Sequence, residues 1–325
     1  MVLNMNSKLI VSLDFELFWG MLDRCSLDDY KENIIGARIA IPKLLELFKK
    51  YDIHATWATV GMIFGDNEED VKRYFSKSDY YPAYVNDKLS CYNYFDTKTI
   101  ESNRDCFFGN DLIETIVEYD GQEIGSHTFS HYYCKEKGQT FTQFDADLKS
   151  ARRIAEVNGI QLQSIVFPRN QSNSEYNEII KSNGFICYRG EESDWIHKKV
   201  KFTPLKRILR LIDVYIPLTG QGGYIPIEEN GLVNIYGSRM YKPYFKYLGF
   251  LEFLKIRRIK KQMLHAAKNN LVFHLWWHPH NIGIMTDFHL KQLESIFKYY
   301  SRLKSKYEME SLNMTELATE VLKNR

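Results

Sequence analysis

The chain has 325 residues, room for one large α/β domain or two modest ones with a sizeable buried core. Its 43 Lys and Arg nearly balance 41 Asp and Glu, and the net charge of +2 excludes a general nucleic-acid binder and a disordered polyanion. That average conceals an asymmetry, because residues 198–261 carry 14 Lys or Arg against 4 Asp or Glu, a local net charge of +10, and the remainder is net acidic.

Apolar runs alternate with helical periodicity along the chain. Residues 8–13 read as a buried strand, followed by a helix carrying "PKLLELFKKY" and a second strand, "HATWATVGMIF". Residues 66–109, polar and Tyr-rich, read as an insertion over one end of the fold. Next come a helix at 111–118, the strand "QEIGSH", a helix at 144–157 and the strand "QSIVF". A helix opened by Asn173 or Ser174 and closed by Asn183-Gly184 leads to the strand "FICYRG". The basic segment 198–261 reads as a second insertion, with a helix expected over 248–267. The strand "LVFHLWWH" and a helix from about Asp287 complete the series. A repeated βα pattern predicts a parallel sheet or barrel in a single domain, with its site at the C-terminal strand ends.

Five cysteines are widely spread with no C-x-x-C pair, as expected of ordinary thiols in a reducing compartment. One Lys precedes a short apolar run at the start, and acids arrive where a signal peptide would stay apolar. The expectation is a cytoplasmic protein, with peripheral contact to the inner face of the membrane through the basic segment.

Four stretches carry chemistry. In "SLDFELFWG", Asp14 and Glu16 stand two apart at a strand end, so both carboxylates project to one face, where one can hold a cation and the other act as a base. Acids that cap a helix or pair with a lysine are the alternative. In "GSHTFSHYY", His127 and His131 stand four apart, a spacing that on a helical turn lets two imidazoles share a metal. "LVFHLWWHPHNIG" concentrates His274, His278 and His280 at the last strand and its exit, where one suits a general acid. "IVFPRNQSN" puts Arg169 at a strand exit, able to hold a carboxylate base in a bidentate pair.

In this order the motifs resemble the polysaccharide deacetylases, the chitooligosaccharide deacetylase-like enzymes of carbohydrate esterase family 4, over roughly 8–190 and 268–300. The resemblance implies a distorted or incomplete (β/α)7 barrel and one divalent metal, most often zinc. It implies Asp14 as the base, Glu16, His127 and His131 as metal ligands, Arg169 contacting the base and His278 as the acid, with His274 or His280 competing for that role. Trp19, His274, His280 and Arg239 are further candidates for substrate binding. Phe15 separates the two acids that the family's commonest motif places side by side, and Pro168-Arg169-Asn170 stands where Arg-x-Pro is usual.

The implied activity is removal of an N-acyl group, most often N-acetyl, from a sugar in a glycan or glycan precursor. The reaction is hydrolysis of a C–N bond other than a peptide bond, in surface polysaccharide (O-antigen or capsule) synthesis. The expected partner is an N-acylated sugar, nucleotide- or lipid-linked, and no nucleic acid. A sugar deformylase, a cyclic-amide hydrolase of the same fold and a catalytically silent carbohydrate-binding relative are the competing readings.

Overall fold

The computed structural model describes residues 5–323 other than 96, 193 and 201. Among the described residues, ten strands form one sheet: β1 (Lys8–Phe15), β2 (Ala55–Thr59), β3 (Gln122–Ser126), β4 (Ser164–Val166), β5 (Cys187–Arg189), β6 (Ile227–Glu229), β7 (Leu232–Asn234), β8 (Arg239–Met240), β9 (Val272–Trp277) and β10 (Glu310–Leu312). Their order is β6-β7-β5-β4-β3-β2-β1-β9-β8, with β10 beside the start of β1, and every pairing but β6–β7 is parallel. This is an α/β fold, as expected, and its ladder ends at β6 and β8 without closing.

Residue parity along β1 divides its two faces. Leu9, Val11, Leu13 and Phe15 join the large outer core shared with the helices, among them Leu27–Tyr51, Phe141–Val157 and Thr286–Tyr307. Ile10, Ser12 and Asp14 face the barrel interior, because successive side chains of a strand alternate. The interior floor is a second cluster in which Ile10, Ala58, Val166, Cys187, Val233 and Val272 pack against Met314, Leu317, Ala318 and Val321. The last four come from the helix Met314–Lys323, which plugs the end of the barrel opposite the site.

The segment 198–261 is no simple insertion. It supplies β6, β7 and β8 and the helix Thr203–Tyr215, while the helix expected over 248–267 runs as Glu252–Lys268. The stretch 232–240 starts against β5, with Ile235 N–H donating to the Tyr188 carbonyl. It ends against β9, with Ser238 N–H donating to the His274 carbonyl. One extended stretch therefore leaves one edge of the open sheet and joins the other, which distorts the barrel without completing its ladder. Residues 66–109 form short helical turns that bear on the 16–20 loop, with Phe18 N–H donating to the Cys106 carbonyl.

Candidate active site

β1, β5 and β9 and the turns after β1, β3, β4 and β9 bring the chemical groups to one end of the barrel. Asp14, 3% exposed, receives both arms of Arg189 in a bidentate pair at 2.6 and 2.7 Å. Burial opposes ionisation of Asp14, but Arg189 overcomes it and holds the carboxyl below its usual range. Arg189 also reaches Ser12 Oγ at 3.0 Å and Asn170 Oδ1 at 2.8 Å, and its guanidinium lies 4.2 Å from the centre of the Trp276 ring.

A hydrogen-bond chain backs this pair. His274 is fully buried, and burial pushes its imidazole down to about 3, so the ring is neutral. Its Nδ1–H donates to the Tyr236 carbonyl at 3.2 Å, and its Nε2 accepts from Ser12 Oγ at 2.8 Å, which turns the Ser12 lone pairs toward Arg189. His274 thus lies beneath the site, away from any place a substrate could touch, which corrects its expected role.

Glu16 lies just past β1, 4% exposed. Its Oε2 is 2.8 Å from His131 Nε2 and 3.5 Å from His127 Nε2, and the three ligand atoms lie within 4.8 Å of one another. The close approach requires Gly20, since a Cβ there would stand 2.2 Å from the Glu16 carboxyl. His127 Nδ1 bonds the Val166 carbonyl at 2.8 Å and His131 Nδ1 bonds Tyr133 Oη at 3.0 Å, which leaves both Nε2 atoms facing Glu16. His131 Nε2 is buried and, although 2.8 Å from Glu16 Oε2, lacks hydrogen-bond geometry to it, and burial holds that imidazole below its ordinary range, in the neutral form a metal requires. Against burial, His278 foremost among the neighbouring imidazoles holds Glu16 well below the usual carboxylate range. One carboxylate and two imidazoles, their three ligand atoms within 4.8 Å of one another, fit a divalent metal.

The two histidines do not lie on a helical turn. β3 ends at Ser126, and 127–131 is a loop in which Thr128 and His131 have φ of 63° and 54°. Asp147, on the helix Phe141–Val157, holds the loop by accepting from Phe129 N–H at 2.7 Å and Ser130 N–H at 3.1 Å. Left-handed backbone at a β-branched threonine is strain that this network sustains at the ligand site.

His278 Nε2 stands 3.3 Å from Glu16 Oε1 and 3.6 Å from Asp14 Oδ2. Asn281 Nδ2 lies 3.2 Å from its Nδ1, which turns Nε2 toward the carboxylates. His280, stacked on His278 with ring centroids 5.1 Å apart, is 3% exposed, and burial pushes it down to about 3, with His278 adding to the shift. Both line a cleft of about 380 Å³ together with Asp14, Glu16 and His131.

Three other candidates stand elsewhere. Arg169 lines the cleft but ion-pairs with Asp23 and Glu136 and lies 4.1 Å over the Tyr133 ring, so Arg189, not Arg169, contacts Asp14. Arg169 and Asn170 both have left-handed backbone, which sends one side chain outward and turns the other onto Arg189. Trp19 is 1% exposed, stacked on Phe95, and its indole N–H donates to the Phe107 carbonyl at 2.7 Å, so it belongs to the core. Phe18 is buried beside Phe107. Arg239 binds Asp213 at 2.7 Å outside this cleft. Sequence reading missed Arg189, whose one signal was a cation ending the apolar run "FICYRG".

Residues 28–187 match the family model for polysaccharide deacetylase. That segment contains His127 and His131, while Asp14, Glu16, Arg189 and His278 lie outside it. No curated protein matches the sequence. Among solved structures, a Mycobacterium smegmatis protein described as a polysaccharide deacetylase superposes with a TM-score of 0.61 at 12% identity, over 99% of this chain and 93% of its own. A Pseudomonas aeruginosa PAO1 protein, also described as a polysaccharide deacetylase, gives 0.56 at 13%, over 96% and 89%. Puue allantoinase gives 0.54 at 13%, over 96% and 88%. At such identities the likeness is one of fold.

Proposed function

On the match of residues 28–187 to the polysaccharide deacetylase model, we propose that the chain is a metal-dependent hydrolase that removes an N-acyl group, N-acetyl foremost, from a sugar in a glycan precursor. The observation that carries this reading is the buried Glu16–His127–His131 cluster, with Arg189-bound Asp14 and His278 beside it. Glu16, His127 and His131 would hold the metal, with zinc first among divalent ions for a carboxylate and two imidazoles. When bound, the metal would polarise the acyl carbonyl and lower the pKa of water from ~15.7 towards ~7.

The chain's own residues supply the proton transfers. Asp14, kept ionised by Arg189, takes a proton from the attacking water. Ser12 and His274 keep Arg189, and through it Asp14, in place. His278, with Nε2 facing the site, gives a proton from its imidazolium form to the departing amine nitrogen, so the C–N bond breaks to a sugar amine and a carboxylic acid and the imidazole is left neutral.

The test is acetate and formate release from a panel of N-acylated sugars, with bound metal measured in parallel. His127→Ala is expected to lose the metal and at least about a hundredfold in rate. Full metal and full activity in that variant would overturn the site. Release of formate alone, or opening of a cyclic amide alone, would instead favour the deformylase or cyclic-amide reading.

A place in surface polysaccharide synthesis, at an anionic membrane surface, is part of the same proposal. Its support is the helix Thr203–Tyr215, which exposes Leu205, Ile208 and Ile212 at helical spacing, continued by Ile216, beside Lys206 and Arg207. Phe250 and Phe253 are exposed near its C-terminal end, where Tyr215 donates to Glu252. Among the described residues, no helix is long and apolar enough to cross a membrane. Co-sedimentation with phosphatidylglycerol vesicles, and not with phosphatidylcholine vesicles, is expected to weaken at least about tenfold in Ile208→Asp. Equal binding of the variant would remove the membrane surface from the proposal.

A further inference from the structure

The cleft that holds Asp14 and His278 is also lined by Arg24, Arg210 and Lys242. The other two arginines of the site are neutralised, Arg189 by Asp14 and Arg169 by Asp23 and Glu136. No carboxylate of the described residues forms an ion pair with Arg24, Arg210 or Lys242. Lys242 is half-buried, and the polar contact of its amine is the Met240 sulfur at 3.0 Å, a weak acceptor that leaves an ammonium poorly satisfied.

This cationic wall is built into the fold. Arg210 lies on the helix Thr203–Tyr215, and Lys242 follows directly on β8. Asp213 of that helix binds Arg239 of β8 at 2.7 Å and Arg258 of the helix Glu252–Lys268 at 2.8 Å. The one aspartate shared by two arginines fixes Arg210 and Lys242 at the cleft and leaves the wall net positive. Burial, with Arg210 and Arg239 adding to it and Glu192 opposing it, pushes the Lys242 amine down to about 8. Such an arrangement costs stability unless an anion arrives to use it.

The geometry points to a subsite in which Arg210, Lys242 and Arg24 grip a phosphate or diphosphate carried by the sugar whose N-acyl group lies at Asp14 and His278. This rests on the N-deacylase reading and narrows its substrate to a phosphorylated sugar carrier. A diphosphate brings two to three negative charges to donors that can form charge-assisted hydrogen bonds at the mouth of the same cleft. The carrier could be a nucleoside or a polyprenol, and the shared chemistry is the diphosphate.

Inorganic pyrophosphate binding, followed by titration calorimetry on the metal-loaded protein, tests the subsite. Submillimolar binding is expected, weakened about tenfold or more in each of Arg210→Ala and Lys242→Ala, and in the exposed variant Arg24→Ala. His127→Ala is expected to keep it. Absence of binding by the unaltered protein, or binding that survives in Arg210→Ala and Lys242→Ala but disappears in His127→Ala, overturns the subsite, the latter because the metal would then hold the anion. UDP and farnesyl diphosphate as competitors separate a nucleotide from a lipid carrier. Binding needs no turnover, so this experiment and acetate release fail independently.

Discussion

Arg189 and Arg169 stand at neighbouring strand exits and serve different carboxylates. Arg189 is the largest offset to the burial of Asp14, so Arg189→Ala leaves a buried carboxylate without its bidentate partner. A cost of about 3–5 kcal/mol is expected from breaking such a pair, together with a loss of at least about a hundredfold in kcat that added metal does not restore. Arg169 acts through a longer chain: it holds Asp23, which accepts from Tyr133 Oη at 3.3 Å, and Tyr133 in turn meets His131. Arg169→Ala is therefore expected to weaken metal binding about 10- to 100-fold while leaving kcat near its original value at saturating metal. Metal titrations of the two variants, with thermal unfolding, separate a residue that holds the base from one that orients a ligand. A metal-insensitive kcat loss in Arg169→Ala would contradict this division.

At the scale of elements, the helix Met314–Lys323 is tied to the sheet by polar contacts as well as by its apolar face. Thr56 Oγ1 accepts from Met314 N–H at 2.8 Å, Glu123 accepts from Thr315 N–H at 3.2 Å, and His54 Nδ1 lies 2.8 Å from Glu316. The Glu316 carboxylate raises His54 above its ordinary 6.5, against burial. A group whose folded-state value is raised stabilises the fold in its protonated form. The contribution is thus complete below the unfolded value and is lost as pH rises through the folded one. The protection of the helix against hydrogen exchange, measured relative to the intrinsic rate at each pH, should fall on going from pH 5.5 to 8.5, and His54→Gln should abolish that fall. An unchanged dependence in the variant would place the tie elsewhere.

For the whole molecule, the barrel depends on elements far apart in sequence. β1 is flanked by β2, β9 and β10, and the floor beneath Asp14 is completed by the helix Met314–Lys323. Leu317 is fully buried in that floor, and Leu317→Ala is expected to cost about 2–5 kcal/mol, seen as a fall of several degrees in Tm. A shift of less than about a degree would mean that the floor collapses around the lost methyl groups. Because β5, β9 and β1 converge only when the barrel is assembled, a loosened floor should lower activity alongside stability.

The sequence by itself determined the alternation of strands and helices and the acids, histidines and aromatics at the strand ends, because periods of two and 3.6 and local caps are written in short windows. It also determined that Asp14 and Glu16 share a face, since parity along one strand needs no partner. Tertiary structure alone decided which arginine meets Asp14. Arg169 and Arg189 occupy similar local contexts, and only the left-handed turn at 169–170 and the interior position of β5 separate them. It decided that Trp19 and His274 are buried supports, because burial depends on Phe95, Phe107 and Tyr236 from distant segments. It decided, too, that 232–240 joins the two edges of the open sheet: pairing between strands more than 35 residues apart leaves no trace in local composition.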